Sequence, residues 1–434
     1  FAAESGWQYM LLDEGWQPRN NTEPDQKSYL GTYDWVPEII RYAKERNIGI
    51  WVWAAQWDLN SAEKQARLAE WADMGICGVK IDFFDSETQE MLRLYDTLTA
   101  KCADLKLMVN YHGCHKPTGE RRTWPHLVTR EGVYGNEHFL SGEGWGPTAA
   151  HNCTLPFTRN AVGPMDYTPS LTTCYEKEFE TPAQRGALAV VFESGAVTLS
   201  DKPEVYRSNA FYGFLKGLPA AWDATRLLDG VPGSFVVMLR QKQDQYYIGS
   251  ICNEQRTQDI SLRFLPEGRY LCEIYYDGSA GTSRRIQQVT NGETVTLPQQ
   301  EHGGAAIRLT PWSGAWFQDM DNHWAQPEVQ PLADTDRLSG FLYPNFQPDQ
   351  PITRGEFVNS LLRISQTQKE QGTPPFADAV NHFEKNAIYT AWKSQIINGV
   401  SDLVFDPDST ITREDAATMI GRFCNLSAEQ STLK

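Results

Sequence analysis

The chain has 434 residues, too many for one ordinary domain, and the length points to two to four. A formal net charge of −16 and a pI near 5.0 argue against a nucleic-acid partner. No run is long and apolar enough to span a membrane, and the eight cysteines lack CxxC or zinc-ligand spacing.

In chain order, the first elements read as buried strands that end in polar groups, with helices between them. Phe1 to Gly6 looks like the end of a helix, so a first strand, and any secretion signal, is expected to have preceded this sequence. Tyr9–Asp13 is a strand that delivers Asp13. Pro37 fits the first turn of a helix through Ile39, Ile40 and Ala43. Ile48–Ala54 is the next strand, and Ser61–Asp73 a helix stopped by Gly75. Val79–Phe83 carries Lys80 and Asp82. Ser86-x-x-Gln89 reads as a capping box before a helix whose buried face is Met91, Leu94, Tyr95, Leu98 and Cys102. Cys77 and Cys102 fall on apolar positions and read as reduced core residues.

Leu107–His112, Leu127–Glu131, Val162–Asp166 and Ala196–Ser200 complete seven predicted strands. One such terminal carboxylate is more often a cap or a surface residue. Repeated strands that each present a polar group at the C-terminal end describe the catalytic face of a (β/α)8 TIM-type barrel, here over residues 1–222 with its first strand missing.

After Pro219 the pattern becomes short β-type runs with turn residues between them, Phe235-Val-Val-Met-Leu to Ala305-Ala-Ile-Arg-Leu. These predict an antiparallel β-sandwich over 223–313, without a carboxylate constellation and hence structural. From Trp316 an internal repeat appears. Phe317, Asp319, Trp324, Phe346, Pro348, Ile352, Thr353, Arg354 and Phe357 recur as Phe376, Asp378, Phe383, Phe405, Pro407, Ile411, Thr412, Arg413 and Ala416, always 59 residues later.

These segments, 314–370 and 371–434, resemble S-layer homology repeats, small α-helical units. The resemblance implies cell-wall polysaccharide binding and a location outside the cell or at its surface. That family usually uses three repeats and two are visible here. Its ligands are typically acidic wall polymers, for which the guanidinium forks of Arg354 and Arg413 are candidate donors. The competing reading has these arginines only cap or staple their own repeat.

The barrel resembles glycoside hydrolase family 97. The motifs are Val79-Lys-Ile-Asp-Phe-Phe-Asp85, Asn110-Tyr-His-Gly113, Pro117 to Pro125, Thr129 to Glu137 and Gly163-Pro-Met-Asp-Tyr-Thr-Pro169. Independently of the name, glycoside cleavage needs two carboxyl groups, and Asp82, Glu131 and Glu137 stand where strand ends converge. The resemblance implies Asp82 as nucleophile and Glu137 as acid/base. In inverting members a Glu follows the His of the motif matched by Asn110-Tyr111-His112; here that position is Gly113, so retention is expected, with α-galactoside as the substrate class.

The resemblance also implies Ca²⁺ beside the leaving group, with Glu131 and Glu137 as ligands and Asn110 as a weaker one. One further ligand is expected from the family's N-terminal β domain, which this sequence does not include. Glu131 could instead pair with Arg130 or Arg121. Asp13, Trp16, Lys80, His112, Arg121 and Asp166 are candidates to bind sugar hydroxyls, and for His112 and His115 hydrogen bonding is preferred to a transition-metal pair. The alternatives to a retaining enzyme are an inverting α-glucosidase on the same scaffold and a non-catalytic surface protein that binds glycan.

Overall fold

A computed structural model describes residues 1–20, 28–29, 31–140, 146–171, 180–278, 281–312, 316–320, 322–334, 338 and 346–426. The expected domain boundary at 313–314 and the last residues of the second repeat lie outside them.

Tyr9–Leu12, Gly49–Ala55, Ile76–Asp82, Met108–Tyr111 and Leu127–Arg130 form one parallel five-stranded sheet in that order. The second and third strands are buried along almost their whole length, the state of a parallel sheet covered on both faces. Helices Trp35–Lys44, Arg67–Met74 and Gln89–Asp104 cover it, with Ile40, Leu68, Trp71, Tyr95 and Leu98 in the shared core. The second helix is shorter than expected: Lys64–Ala66 is a 3-10 turn, and the α-helix then runs to Met74 before Gly75 (φ +101°) ends it. The capping box at Ser86 does not form. Thr88 is the cap and accepts from the Met91 N–H, while Ser86 shares a hydrogen bond with the Thr88 hydroxyl.

The two later expected strands, Val162–Asp166 and Ala196–Ser200, are not strands. Pro164 has no N–H to give. The Asp166 N–H reaches the Arg130 carbonyl at 2.9 Å, but the preceding N–H, of Met165, turns away to the Glu193 carbonyl. The Arg159 guanidinium then donates to the carbonyls of Arg130, Glu131, Gly132, Gly163 and Pro164 at 2.8–3.1 Å, using up oxygens that a ladder would need. The described residues therefore show a five-stranded parallel sheet with an irregular continuation, not a closed eight-stranded barrel.

The following region is antiparallel, as predicted. A six-stranded sheet is ordered Gly281–Thr290, Arg269–Gly278, Gly304–Pro311, Gln245–Cys252, Phe235–Lys242, Ala224–Val231, and Arg256–Ser261 pairs with Thr294–Gln299 beside it. Ile260, Leu262, Val295 and Leu297 meet Val237, Ile248, Ile274 and Ile307 in one core. The two edge strands were not expected, because they are polar or exposed along most of their length, as edge strands must be to avoid further pairing.

Helix Pro182–Val191 joins the two regions and is buried from Ala183 to Val191. Its backbone lies against the six-stranded sheet. A Cβ at Gly304 would come within 2.4 Å of Gln184 Cα, and one at Gly249 within 2.9 Å of the Ala187 carbonyl. Arg240 donates to the Val190 carbonyl at 2.9 Å near the helix end.

In the repeats, Asp319 accepts from the N–H groups of Phe346 and Gln347, and Asp378 does the same for Phe405 and Asp406. Thr353 and Thr412 each cap the following helix, Arg354–Ile364 and Arg413–Phe423. The two Ile-Thr-Arg segments lie against each other, with Ile411 N–H bonded to the Ile352 carbonyl.

Candidate active site

Three of the groups at the mouth of the parallel sheet arrive at, or just past, the end of a strand. Asp82 closes Ile76–Asp82, His112 follows Met108–Tyr111, and Glu131 follows Leu127–Arg130. Glu137 comes from the short helical turn Asn136–Leu140, and Asp166 from the segment hydrogen-bonded to Arg130. His112 is the hub. Its Nδ1 lies 3.8 Å from Asp82 Oδ2, 3.4 Å from Glu131 Oε2 and 3.8 Å from Glu137 Oε2, and its Nε2 lies 3.5 Å from Asp166 Oδ2. Burial, then Lys80 and His138, push its pKa well below the ordinary value, so the imidazole is neutral.

Asp82 is held from two sides. The Trp53 indole N–H donates to Oδ2 at 2.9 Å and the Phe83 N–H to Oδ1 at 2.7 Å. Burial raises its carboxyl pKa, against the pull of Trp53, Lys80 and the Phe83 N–H. Asp82 and Glu137 each stand 3.8 Å from the same nitrogen, so these oxygens are at most twice that distance apart. A retaining pair works at about 5–5.5 Å and an inverting pair at about 6.5–9.5 Å.

Gly113 lies against Asp82. It has φ +49°, and a Cβ there would stand 2.8 Å from Asp82 Oδ1 and 2.9 Å from Phe83 N. No larger side chain fits beside Asp82 as it stands. The Gly113 N–H donates to Glu131 Oε2 at 2.7 Å.

Lys80 supplies the counter-charge, with Nζ 3.1 Å from Asp13 Oδ2 and 3.6 Å from Glu137 Oε1. Burial works against its charge, but Glu137, Asp13, Asp166 and Asp82 outweigh that and hold it above the usual lysine range. Burial lifts Glu131 to about 8, with Glu137, Asp82 and Asp166 adding to it. Glu137 is also raised, by burial first and then by Asp166, Asp13 and Asp82, against Lys80.

The ligand atoms of His112, Glu131 and Glu137 all lie within 4.8 Å of one another, a spacing that can hold a metal ion. Asp166 is buried and accepts from Asn110 Nδ2 at 2.6 Å and Thr198 Oγ1 at 3.2 Å. Asp166 Oδ1 and Asn110 Oδ1 are buried without a hydrogen-bond partner.

Not every expected residue reaches this mouth. Trp16 is 2% exposed; its indole N–H donates to the Trp53 carbonyl at 2.6 Å and its ring packs on Trp71, so it is a core support for Trp53 and not a sugar platform. Arg121 faces away and pairs with Glu193 at 3.4 Å. Arg130 pairs with Glu120 at 2.5 Å, so neither arginine neutralises Glu131. Arg354, expected to face the wall, is buried; it donates to the Phe405 carbonyl at 3.0 Å and Asp415 Oδ2 at 2.9 Å. It staples the first repeat to the second rather than capping its own. Arg413 is exposed at the start of its helix. Trp53, Phe83 and Arg159 went unnoticed in the sequence. The Trp-x-Trp of Trp51 and Trp53 at a strand end was the one available signal.

Residues 1–133 match the family model of glycoside hydrolase 97 and residues 221–310 its C-terminal, oligomerisation model. The chain belongs to glycoside hydrolase family 97. Residues 317–358 and 375–417 match the S-layer homology domain, so the chain joins family 97 regions to two such repeats. It is 39% identical over 330 residues to a probable retaining alpha-galactosidase of Streptomyces bingchenggensis, covering 72% of this chain and 49% of that protein. To a retaining alpha-galactosidase of Bacteroides thetaiotaomicron it is 30% identical over 331 residues, covering 72% and 48%. The chain thus spans about half the length of these relatives. A family 97 enzyme from Pseudoalteromonas sp. strain K8, solved in complex with acarbose, superposes with a TM-score of 0.64 at 25% identity, covering 72% of this chain and 55% of that one. No helix among the described residues is long and apolar enough to cross a membrane.

Proposed function

We propose that this chain carries the catalytic region of a retaining, exo-acting α-galactosidase held at the cell wall. The observation that carries the reading is the pairing of Asp82 with Gly113. Inversion on this scaffold calls for a carboxylate following His112. A side chain at 113 would collide with Asp82 Oδ1, and Asp82 itself is present, buried and aimed by two donors. A nucleophile at 82 and a water-activating carboxylate at 113 exclude each other in this geometry. The two relatives named retaining alpha-galactosidases support the sugar.

In the first step an Asp82 oxygen attacks the anomeric carbon, the bond to the leaving oxygen breaks, and the Glu137 proton passes to that oxygen. The raised Glu137 pKa keeps a proton available for this. In the second step Glu137 takes a proton from water, whose oxygen attacks the same carbon and releases Asp82. Neutral His112 and charged Lys80 hold the carboxylates around the reacting carbon, and Asp13 and Asp166 complete the polar rim.

Calcium is the cation that the family resemblance favours, and the donor chemistry gives it a partial fit. Glu131 and Glu137 are oxygen donors suited to a hard cation. His112 Nδ1 is not, and six to eight oxygens are required, so the remaining ligands must come from outside these three residues. Bound there, the ion would supply positive charge beside the leaving oxygen. Asn110 is a weaker candidate: its Nδ2 is engaged with Asp166, whereas its Oδ1, the atom that would ligate, has no hydrogen-bond partner.

The proposed division is a catalytic region over 1–222, a structural sandwich over 223–313 and wall-binding repeats after it. With Arg354 consumed by the repeat interface, Arg413 is the one of the two left as a candidate to meet an anionic wall glycan, and an enzyme so held would act outside the cell. Asp82→Gly, expected to be inactive, tests the core of the reading. External azide should restore cleavage and yield the β-galactosyl azide from an α-galactoside. No rescue of the variant by azide, together with a β-configured first product from the wild type, would leave Asp82 without the role of nucleophile.

A further inference from the structure

Phe83 follows Asp82 directly and has a backbone that side chains rarely adopt, φ +65°. Its ring is 39% exposed, although it is large, apolar and set at the mouth of a buried sheet. The turn is pinned on both sides: the Phe83 N–H holds Asp82 Oδ1 at 2.7 Å, and the Phe84 N–H donates to the Gly113 carbonyl at 2.8 Å. The ring lies flat on Trp57, with centroids 5.2 Å apart and planes 4° from parallel. It meets Trp53 edge-on at 5.8 Å, and Trp53 is the residue whose indole holds the other oxygen of Asp82. Burial of the ring does not explain the strained turn, because the ring stays exposed. Strain retained beside a catalytic group points to function.

We propose that Phe83, backed by Trp57, is the wall on which the apolar face of the substrate's glycone rests, and so a specificity-determining residue. This rests on the glycosidase reading above. The nucleophile reaches the anomeric carbon from the face opposite the leaving group, and the wall is fixed to the nucleophile through one peptide, so it borders the glycone and not the aglycone. Galactopyranose suits it. With O4 axial, the hydrogens on C3, C4 and C5 share one face and form an apolar patch, which an exposed aromatic ring can cover.

The test uses the full chain with α-galactosyl fluoride, which has no aglycone ring, and an aryl α-galactoside. Phe83→Ala should raise KM about tenfold on both substrates while kcat changes by less than about threefold, and Phe83→Tyr should keep the wild-type KM. An unchanged KM on both overturns the proposal, as does a rise confined to the aryl substrate, which would move the wall to the leaving-group side. If Phe83→Ala does not fold by circular dichroism, Trp57→Leu removes the backing and should raise KM in the same way. If the wild type hydrolyses neither substrate, the galactosidase reading fails, and the wall is then decided by saturation-transfer NMR with free galactose and glucose. Contact with either sugar that Phe83→Ala abolishes supports the wall, and contact that survives the substitution, or none in the wild type, overturns it.

Discussion

At the scale of single residues, the site is an acidic cluster tied to one imidazole. Gly113 is its tightest point, because its φ of +49° and the 2.8 Å approach to Asp82 Oδ1 both disfavour any side chain. Gly113→Ala should therefore lower kcat by at least about tenfold while shifting the unfolding midpoint by only a few degrees, since the change sits at an open mouth. Parallel kinetics and thermal melts check this, and a fully active Gly113→Ala would contradict the crowding argument. Glu131, lifted to about 8, governs the second expectation. A protonated carboxyl must lose its proton before it can hold a cation, so apparent Ca²⁺ affinity should rise with pH up to about 8 and then level. Titration calorimetry in two buffers of different ionisation enthalpy would register the released proton. Affinity independent of pH between 6 and 8 would remove Glu131 from the ligand set.

At the scale of elements, the repeats divide the work of two equivalent arginines. Arg354 is buried against Phe405 and Asp415, whereas Arg413, 59 residues on, is exposed. Arg354→Ala leaves the Phe405 carbonyl unpaired and should cost the repeat pair about 1–3 kcal/mol. Arg413→Ala should stay within about 0.5 kcal/mol of wild type and act instead on sedimentation with cell-wall sacculi. Denaturant unfolding and a pelleting assay separate the two, and equal destabilisation by both variants would contradict the staple. This asymmetry was not legible in the sequence. The 59-residue period located both arginines and the Thr caps, but which one a neighbouring repeat covers is a matter of assembly. The parallel strands were legible from apolar runs ending in polar groups, and the sandwich from short β runs with turns. Val162–Asp166 misled because its composition is that of a strand, while Pro164 and the five carbonyls claimed by Arg159 prevent a ladder.

At the scale of the molecule, a parallel sheet presents the acidic cluster, an antiparallel module packs behind it through helix Pro182–Val191, and two repeats follow. The contact behind is held by buried charge as well as by close packing. Arg308 reaches Glu273 at 2.9 Å and the Gly213 carbonyl at 3.0 Å, and so ties the antiparallel sheet to the segment that precedes it. Asp82 and Glu131 at strand ends, with Glu137 on the segment that follows, were readable from sequence; Asp166 reads as a strand end and stands instead on an irregular segment. Their gathering around His112 was not readable, because the motif that carries His112 fixes its neighbours in the chain and not the carboxylates that other elements bring to it. The proposed mechanism requires that Asp82 form a covalent bond to the sugar. The direct measurement is proton NMR of the first product released from an aryl α-galactoside, taken before mutarotation. Double displacement through Asp82 predicts α-galactose first, with the β anomer growing in later, and β-galactose appearing first would contradict it.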